Sequence, residues 1–215
     1  MSERLGTKAV GARQWVLVAL FVSAAAANGQ PTFEVTPLVG GKFGGSMKLE
    51  QTGQPNRLTR LDDSLSYGVA AGFRFDGEDC ERCDVVEFRW MRQNTHLNIE
   101  NIRPPVTVDH FLGDFTHEFP LRETQDRVSP FVTASLGVAY LATPVESRTR
   151  FEFGFGAGIK VFPSRRWGFR IQVEYLPMVL NAEVQRVVCA GGCIIAINGG
   201  VMNQFLVSLG PTIRF

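Results

Sequence analysis

The stretch RFEFGFGAGIKVF, Arg150–Phe162, puts two unlike faces on a chain of period two. Phe151, Phe153, Phe155, Ala157, Ile159 and Val161 fall on one side, and Glu152, Gly154, Gly156, Gly158 and Lys160 on the other. Successive side chains of a β-strand point to opposite faces, so this pattern predicts an amphipathic strand and not a helix. The Gly-x-Gly-x-Gly run lies inside that alternation and opens no helix, which removes the context a nucleotide-binding loop needs. Inward glycines instead leave room for neighbouring Glu and Arg side chains.

The same alternation recurs through the chain. It is found in FEVTPLVGGKF (Phe33–Phe43), LSYGVAAGFRF (Leu65–Phe75), Val85–Gln93, His110–Phe119, PFVTASLGVAYLA (Pro130–Ala142), Phe169–Tyr175 and FLVSLGPTIRF (Phe205–Phe215). In the fourth of these eight segments in chain order, Phe111, Phe115 and Phe119 are set outward and Asp114, Thr116 and Glu118 inward. Eight is an even number, as one closed antiparallel sheet requires in bacterial outer-membrane barrels. The predicted fold class is therefore all-β, an eight-stranded antiparallel up-and-down transmembrane β-barrel.

Periodicity alone does not say which face is inside. A soluble lipocalin-like barrel turns its apolar face inward, whereas a membrane barrel reverses this. Roughly ten of the 17 phenylalanines, with Tyr67, Trp90, Tyr140 and Tyr175, share the apolar face. That is too much bulk for the interior of eight strands, which side chains of ordinary size already fill. The other face would line the lumen with Glu34, Glu87, Asp114, Glu118, Glu152 and Glu174 against Lys42, Arg74, Arg89, Lys160, Arg170 and Arg214. Six acids and six bases cancel, as a closed, salt-bridged interior needs, because an unpaired buried charge costs several kcal/mol. A plug of side chains is expected, and no wide pore.

The ends and the totals agree with export. Arg4, Lys8 and Arg13 precede the apolar run WVLVALFVSAAAA, Trp15–Ala27, and Ala25, Ala26 and Ala27 offer a cleavage site. The run is too short for a membrane-spanning helix, which needs roughly 20 residues. Residues 1–27 are thus expected to be a cleaved signal peptide and 28–215 the barrel domain. A formal net charge of +1 over 215 residues argues against nucleic acid as a partner. With the amino end at the periplasm, Gly77–Asp84, Pro120–Ser129 and Pro163–Trp167 would be periplasmic turns. Gly44–Ser64, Asn94–Pro105, Thr143–Thr149 and Asn181–Met202 would be external loops.

The phrases FEVTPLVGGKFGG, VDHFLGDFTHEF, SPFVTASLGVAYL and FLVSLGPTIRF together resemble the outer-membrane β-barrel domain family of small OmpA-type barrels, over nearly all of the mature chain. The resemblance implies that the last strand closes the barrel against the first. It also implies that Phe205, Leu209, Ile213 and Phe215 form the signal read by the barrel-assembly machinery during insertion, with Pro211 departing from the usual strand residue. Larger members of that family carry a peptidoglycan-binding domain after the barrel; none is expected here, so cell-wall anchoring is not implied.

Candidate sites are few. Cys80-x-x-Cys83 and Cys189-x-x-x-Cys193 read first as two local disulfides in an exported chain, with reduced thiols as the alternative. The topology sets the two pairs at opposite ends of the barrel, too far apart to share one metal. No metal and no cofactor are expected. His96, His110 and His117 are the available bases, none in a His-x-Ser pattern, so no catalytic residue is assigned. Arg92, Arg103, Arg148 and Arg150 near the outer rim would either hold lipopolysaccharide phosphates or be ordinary solvated charge. The expected role is that of a monomer embedded in outer-membrane lipid, structural or interactive, with an external-loop partner the sequence does not name. The alternatives are a lipid-modifying enzyme of the same fold and a secreted soluble lipocalin-like barrel.

Overall fold

The computed structural model describes residues 32–50, 57–75, 83–98, 103–121, 124, 127–143, 147–180, 185–188, 194–197 and 200–215. The expected signal peptide and Cys80, Cys189 and Cys193 lie outside the described residues. Eight long strands make the wall: β1 (Thr32–Glu50), β3 (Ser64–Phe75), β4 (Cys83–Asn98), β5 (Pro105–Glu118), β6 (Val128–Ala142), β7 (Ser147–Val161), β8 (Trp167–Leu180) and β11 (Gly200–Arg214). Each pairs antiparallel with the next, and β11 pairs back on β1, which closes the sheet. The closing register sets Glu34 opposite Arg214 and Val39 opposite Leu209, and the Phe215 amide donates to the Phe33 carbonyl at 2.8 Å. The chain therefore reaches its last residue in a strand tied to the first one.

Burial follows the alternation with the inverted sense. Phe155, Phe169 and Phe215 are 61%, 60% and 72% exposed, while Arg89, Lys160 and Arg170 are 0% exposed. Apolar residues face outward around the wall and charged residues face the interior, which excludes the lipocalin-like arrangement. Phe131 and Phe162 are exceptions, buried on the inner face among lumen cations. Among the described residues no helix is long and apolar enough to cross a membrane; the apolar belt belongs to strands.

Near its base the closing seam carries an irregularity that the sequence explains. Pairing between β1 and β11 lapses between Val35 and Val39, around Pro37, a residue with no amide hydrogen to give to a ladder. By the flanking register Pro211 falls opposite it, and beside Pro211 lies Gly210, where a Cβ would collide with the Pro37 carbonyl oxygen.

The strands run further than their amphipathic stretches suggest. At the end opposite Thr32 and Phe215, here called the crown, β1 continues past Phe43 through Gly44 and Gly45, with φ of 95° and 93°, where its register against β11 shifts. Positive φ is costly for residues with a Cβ, so two glycines carry the bulge. Beyond it β1 pairs with β2 (Arg57–Leu61) and with β10 (Ile194–Ile197), which pairs with β9 (Gln185–Val188). Parts of the segments expected as external loops, Gly44–Ser64, Asn94–Pro105, Thr143–Thr149 and Asn181–Met202, are therefore strand. The alternation was hidden there because its sense reverses. Leu61, Leu97, Val106, Val108, Met178, Leu180 and Met202 point inward as one apolar cluster, while Asn94, His96, Asn98, Arg148 and Thr149 face out.

Candidate functional site

Following the inward residues along β4 and β5 meets one order of layers, and β8 repeats it without the polar layer. From the base, where β1 begins and β11 ends, β4 presents Glu87 and Arg89, then Met91, then Gln93, then Leu97. On β5 the reverse order holds, with Glu118, Thr116 and Asp114 at the base, then Leu112, His110, Val108 and Val106. Strand β8 presents Arg170, Gln172 and Glu174, then Leu176, then Met178 and Leu180. The antiparallel registers bring these into a charged base, an apolar collar, a thin polar layer and an apolar cap.

The base is a network in which acids and bases are shared. Glu34 accepts from Arg214 at 2.6 and 2.9 Å and from Lys160 at 2.7 Å, and Lys160 also meets Glu118 at 2.6 Å. Arg74 lies 3.7 Å from Glu118, and its guanidinium also donates to the Cys83 sulfur at 2.9 Å. Arg170 grips both oxygens of Glu87 at 2.7 and 2.8 Å. Arg89 donates to both oxygens of Glu174, at 2.6 and 2.7 Å, and lies 2.9 Å from Asp114; Ser135 donates to Glu174 at 2.6 Å. Such forked, charge-assisted contacts are the strongest available to buried ions, and they offset the desolvation that an isolated charge would suffer. Phe131 adds its ring face to Arg170, at 4.9 Å from the ring centre, and Phe162 to Arg214 at 3.9 Å.

Above the base, Leu38, Ala70, Met91, Leu112, Leu176 and Leu206 form the collar. The polar layer holds Lys42, whose ammonium donates to His110 Nε2 at 2.7 Å, while His110 Nδ1 meets Glu152 at 2.7 Å. All three side chains are buried. This line was half legible: Lys42 and Glu152 were expected in the lumen, but His110 was not. The signal was its phase, since His110 shares parity with the inward Asp114 and Thr116.

All ten residues expected to form the lumen charge network face the interior, and the contacts above place each against a partner or a neighbouring layer. Of the other sequence candidates, His117 is turned out of the wall against Asp84 at 2.6 Å and His96 is exposed in the crown. His110 has an acid on one nitrogen but a lysine, and no serine, on the other. Arg92 is held by Asp109 through two hydrogen bonds of 2.8 Å and packs over Trp90, whose indole donates to Asp109 at 3.2 Å. Arg150 is buried, contrary to its expected place on the rim, whereas Arg103 and Arg148 are exposed. Cys83 is buried at the base of β4 and is not a free thiol. Among the described residues no group of His, Cys, Asp or Glu is placed to hold a metal ion.

No family model matches the chain, and no curated protein matches it. Solved structures do. The crystal structure of Neisserial surface protein A is similar with a TM-score of 0.54 at 12% identity, over 86% of this chain and 97% of that one. The outer membrane protein OprG from Pseudomonas aeruginosa is similar with a TM-score of 0.53 at 11% identity, over 87% of this chain and 97% of that one. At these identities the likeness is one of fold, and the fold is that of the small eight-stranded outer-membrane barrels.

Proposed function

We propose that this chain is an integral protein of the bacterial outer membrane with a non-catalytic structural or surface-interaction role, carried by its crown on a barrel closed to solutes. The observation that carries this reading is the pairing of an apolar exterior with an interior filled in layers. Lipid meets the first, and the second fits a lumen plugged by side chains against ions and nutrients. An ion crossing the lumen would have to pass the collar and the cap, two apolar layers that offer no hydration, and to break the Arg89 and Arg170 contacts in the base. The reading includes export with removal of residues 1–27, recognition of Phe205, Leu209, Ile213 and Phe215 by the assembly machinery, local pairing of Cys80 with Cys83 and of Cys189 with Cys193, and a monomeric state.

The experiment is gel mobility of the membrane fraction with and without boiling, joined to conductance of the purified protein in planar bilayers. A compact, heat-modifiable species without discrete current steps is expected. A protein that washes off in buffer would overturn the membrane assignment, and regular current steps would overturn the closed lumen.

A further inference from the structure

Resting on the membrane reading, we propose that the base of the barrel carries a binding site for the phosphate of an anionic phospholipid headgroup, built from Arg127, Arg165 and Arg166 beside Trp167. These residues come from two turns that the sheet holds side by side. The Phe162 amide donates to the Arg127 carbonyl at 2.7 Å, and the Arg214 amide donates to the Arg166 carbonyl at 2.9 Å. Arg127 thus flanks the end of β7 while Arg166 flanks the end of β11, two strand spacings or roughly 10 Å along the rim. The intervening turn is held by the Trp167 amide, which donates to Ser164 Oγ at 3.1 Å.

The three arginines are exposed, and among the described residues none has a carboxylate partner. The described acids at this end are already committed: Glu34 and Glu118 to lumen cations, and Asp84 to His117. Immediately beyond the arginines along β8 the wall turns apolar, with Trp167 58% and Phe169 60% exposed. That sequence of charge, indole and apolar ring matches the passage from headgroup to acyl chain across a membrane interface. A guanidinium is a flat fork that takes two phosphate oxygens at once, and a juxtamembrane basic cluster concentrates anionic lipid over zwitterionic lipid. The site therefore selects by headgroup charge while Trp167 sets its depth.

Trp167 also reports on it. The mature chain would be reconstituted with Trp90→Phe, so that residue 167 is the emitter left in 28–215. The vesicles are phosphatidylcholine containing, at equal mole fraction, either acyl-brominated phosphatidylglycerol or acyl-brominated phosphatidylcholine. Quenching by the brominated phosphatidylglycerol is expected to correspond to an enrichment of at least about five-fold around Trp167. The triple variant Arg127→Gln, Arg165→Gln, Arg166→Gln should lose that preference while brominated phosphatidylcholine still quenches it. Its substitutions leave the carbonyls that make the rim bonds, and unboiled gel mobility checks its fold. Equal quenching by the two lipids in the parent, or a preference that survives the triple substitution, overturns the site. A preference for binding a soluble acidic protein with no lipid preference would reassign it. Absence of quenching by either lipid would instead sink the membrane reading on which the site rests.

Discussion

The belt and the crown of this barrel are built from the same strands with opposite senses. Along β4 the belt turns Glu87 and Arg89 inward and Val86 and Phe88 outward, whereas the crown turns Leu97 inward and Asn94, His96 and Asn98 outward. The backbone is continuous and the period is two throughout; what changes is the surroundings on the outer side. Where lipid covers the wall, apolar side chains lose nothing by exposure and the polar ones must be satisfied internally. Where water covers it, the ordinary rule returns and the interior becomes a small apolar core. The difference teaches that alternation specifies a strand, while the sense of the alternation specifies the medium.

The hardest way to break the belt is from inside. Arg89→Met leaves Asp114 and Glu174 as buried acids without their shared cation, and a loss of about 3–5 kcal/mol is expected. Unfolding by urea in lipid vesicles measures it, and a loss below that of an ordinary surface substitution would show that the lumen network is hydrated and loosely held.

From outside, Phe155→Arg places a charge against hydrocarbon and should cost about 2–4 kcal/mol. The same arginine at Asn94, on the outer face of the crown, should change stability by no more than about 0.5 kcal/mol. The two unfolding midpoints, compared in one lipid, locate the boundary between the zones; equal shifts would mean that the boundary lies elsewhere. Leu97→Asn tests the crown's inner face in turn. It buries an amide in the cap, and a loss of about 1–3 kcal/mol is expected, with no loss when His96 is exchanged for leucine on the outer face.

The smallest effect belongs to the bulge where the two zones meet. Asp63 accepts from Arg60 at 2.7 Å and from the Gly44 amide at 3.2 Å, and these contacts, the Arg60 hydrogen bond first, hold its carboxyl below the usual aspartate range. A group whose folded pKa is depressed contributes stability above its unfolded value and loses it as pH falls through the folded one. The Gly44 amide resonance should therefore titrate at a pH below that of an unperturbed aspartate, and Asp63→Asn should abolish that titration. A midpoint at or above the ordinary value would detach Asp63 from the bulge.

Much of the belt was legible because its information is local. Each of the eight amphipathic stretches announced its own phase, and even the fourth, with Phe111 and Phe115 against Asp114 and Thr116, was read correctly from neighbours two residues apart. The crown was not legible as strand, since its reversed and weaker alternation blends with loop composition. The inward apolar residues Leu38, Met91, Leu112, Leu176 and Leu206 were passed over for a related reason. Each follows a polar inward residue on its base side, Thr36, Arg89, Asp114, Glu174 or Ser208, and only stacking around the barrel turns them into a collar.

By itself, then, the sequence determined the eight strands of the belt, the lipid-facing side and the identities of the lumen charges, because a period of two is a property of adjacent residues. The tertiary structure decided which charge meets which. Arg89 and Glu174 are 85 residues apart, and Lys42, His110 and Glu152 come from three different strands. Those partnerships depend on the register and tilt with which eight strands close, a condition satisfied by the whole sheet at once and written in no single stretch of it.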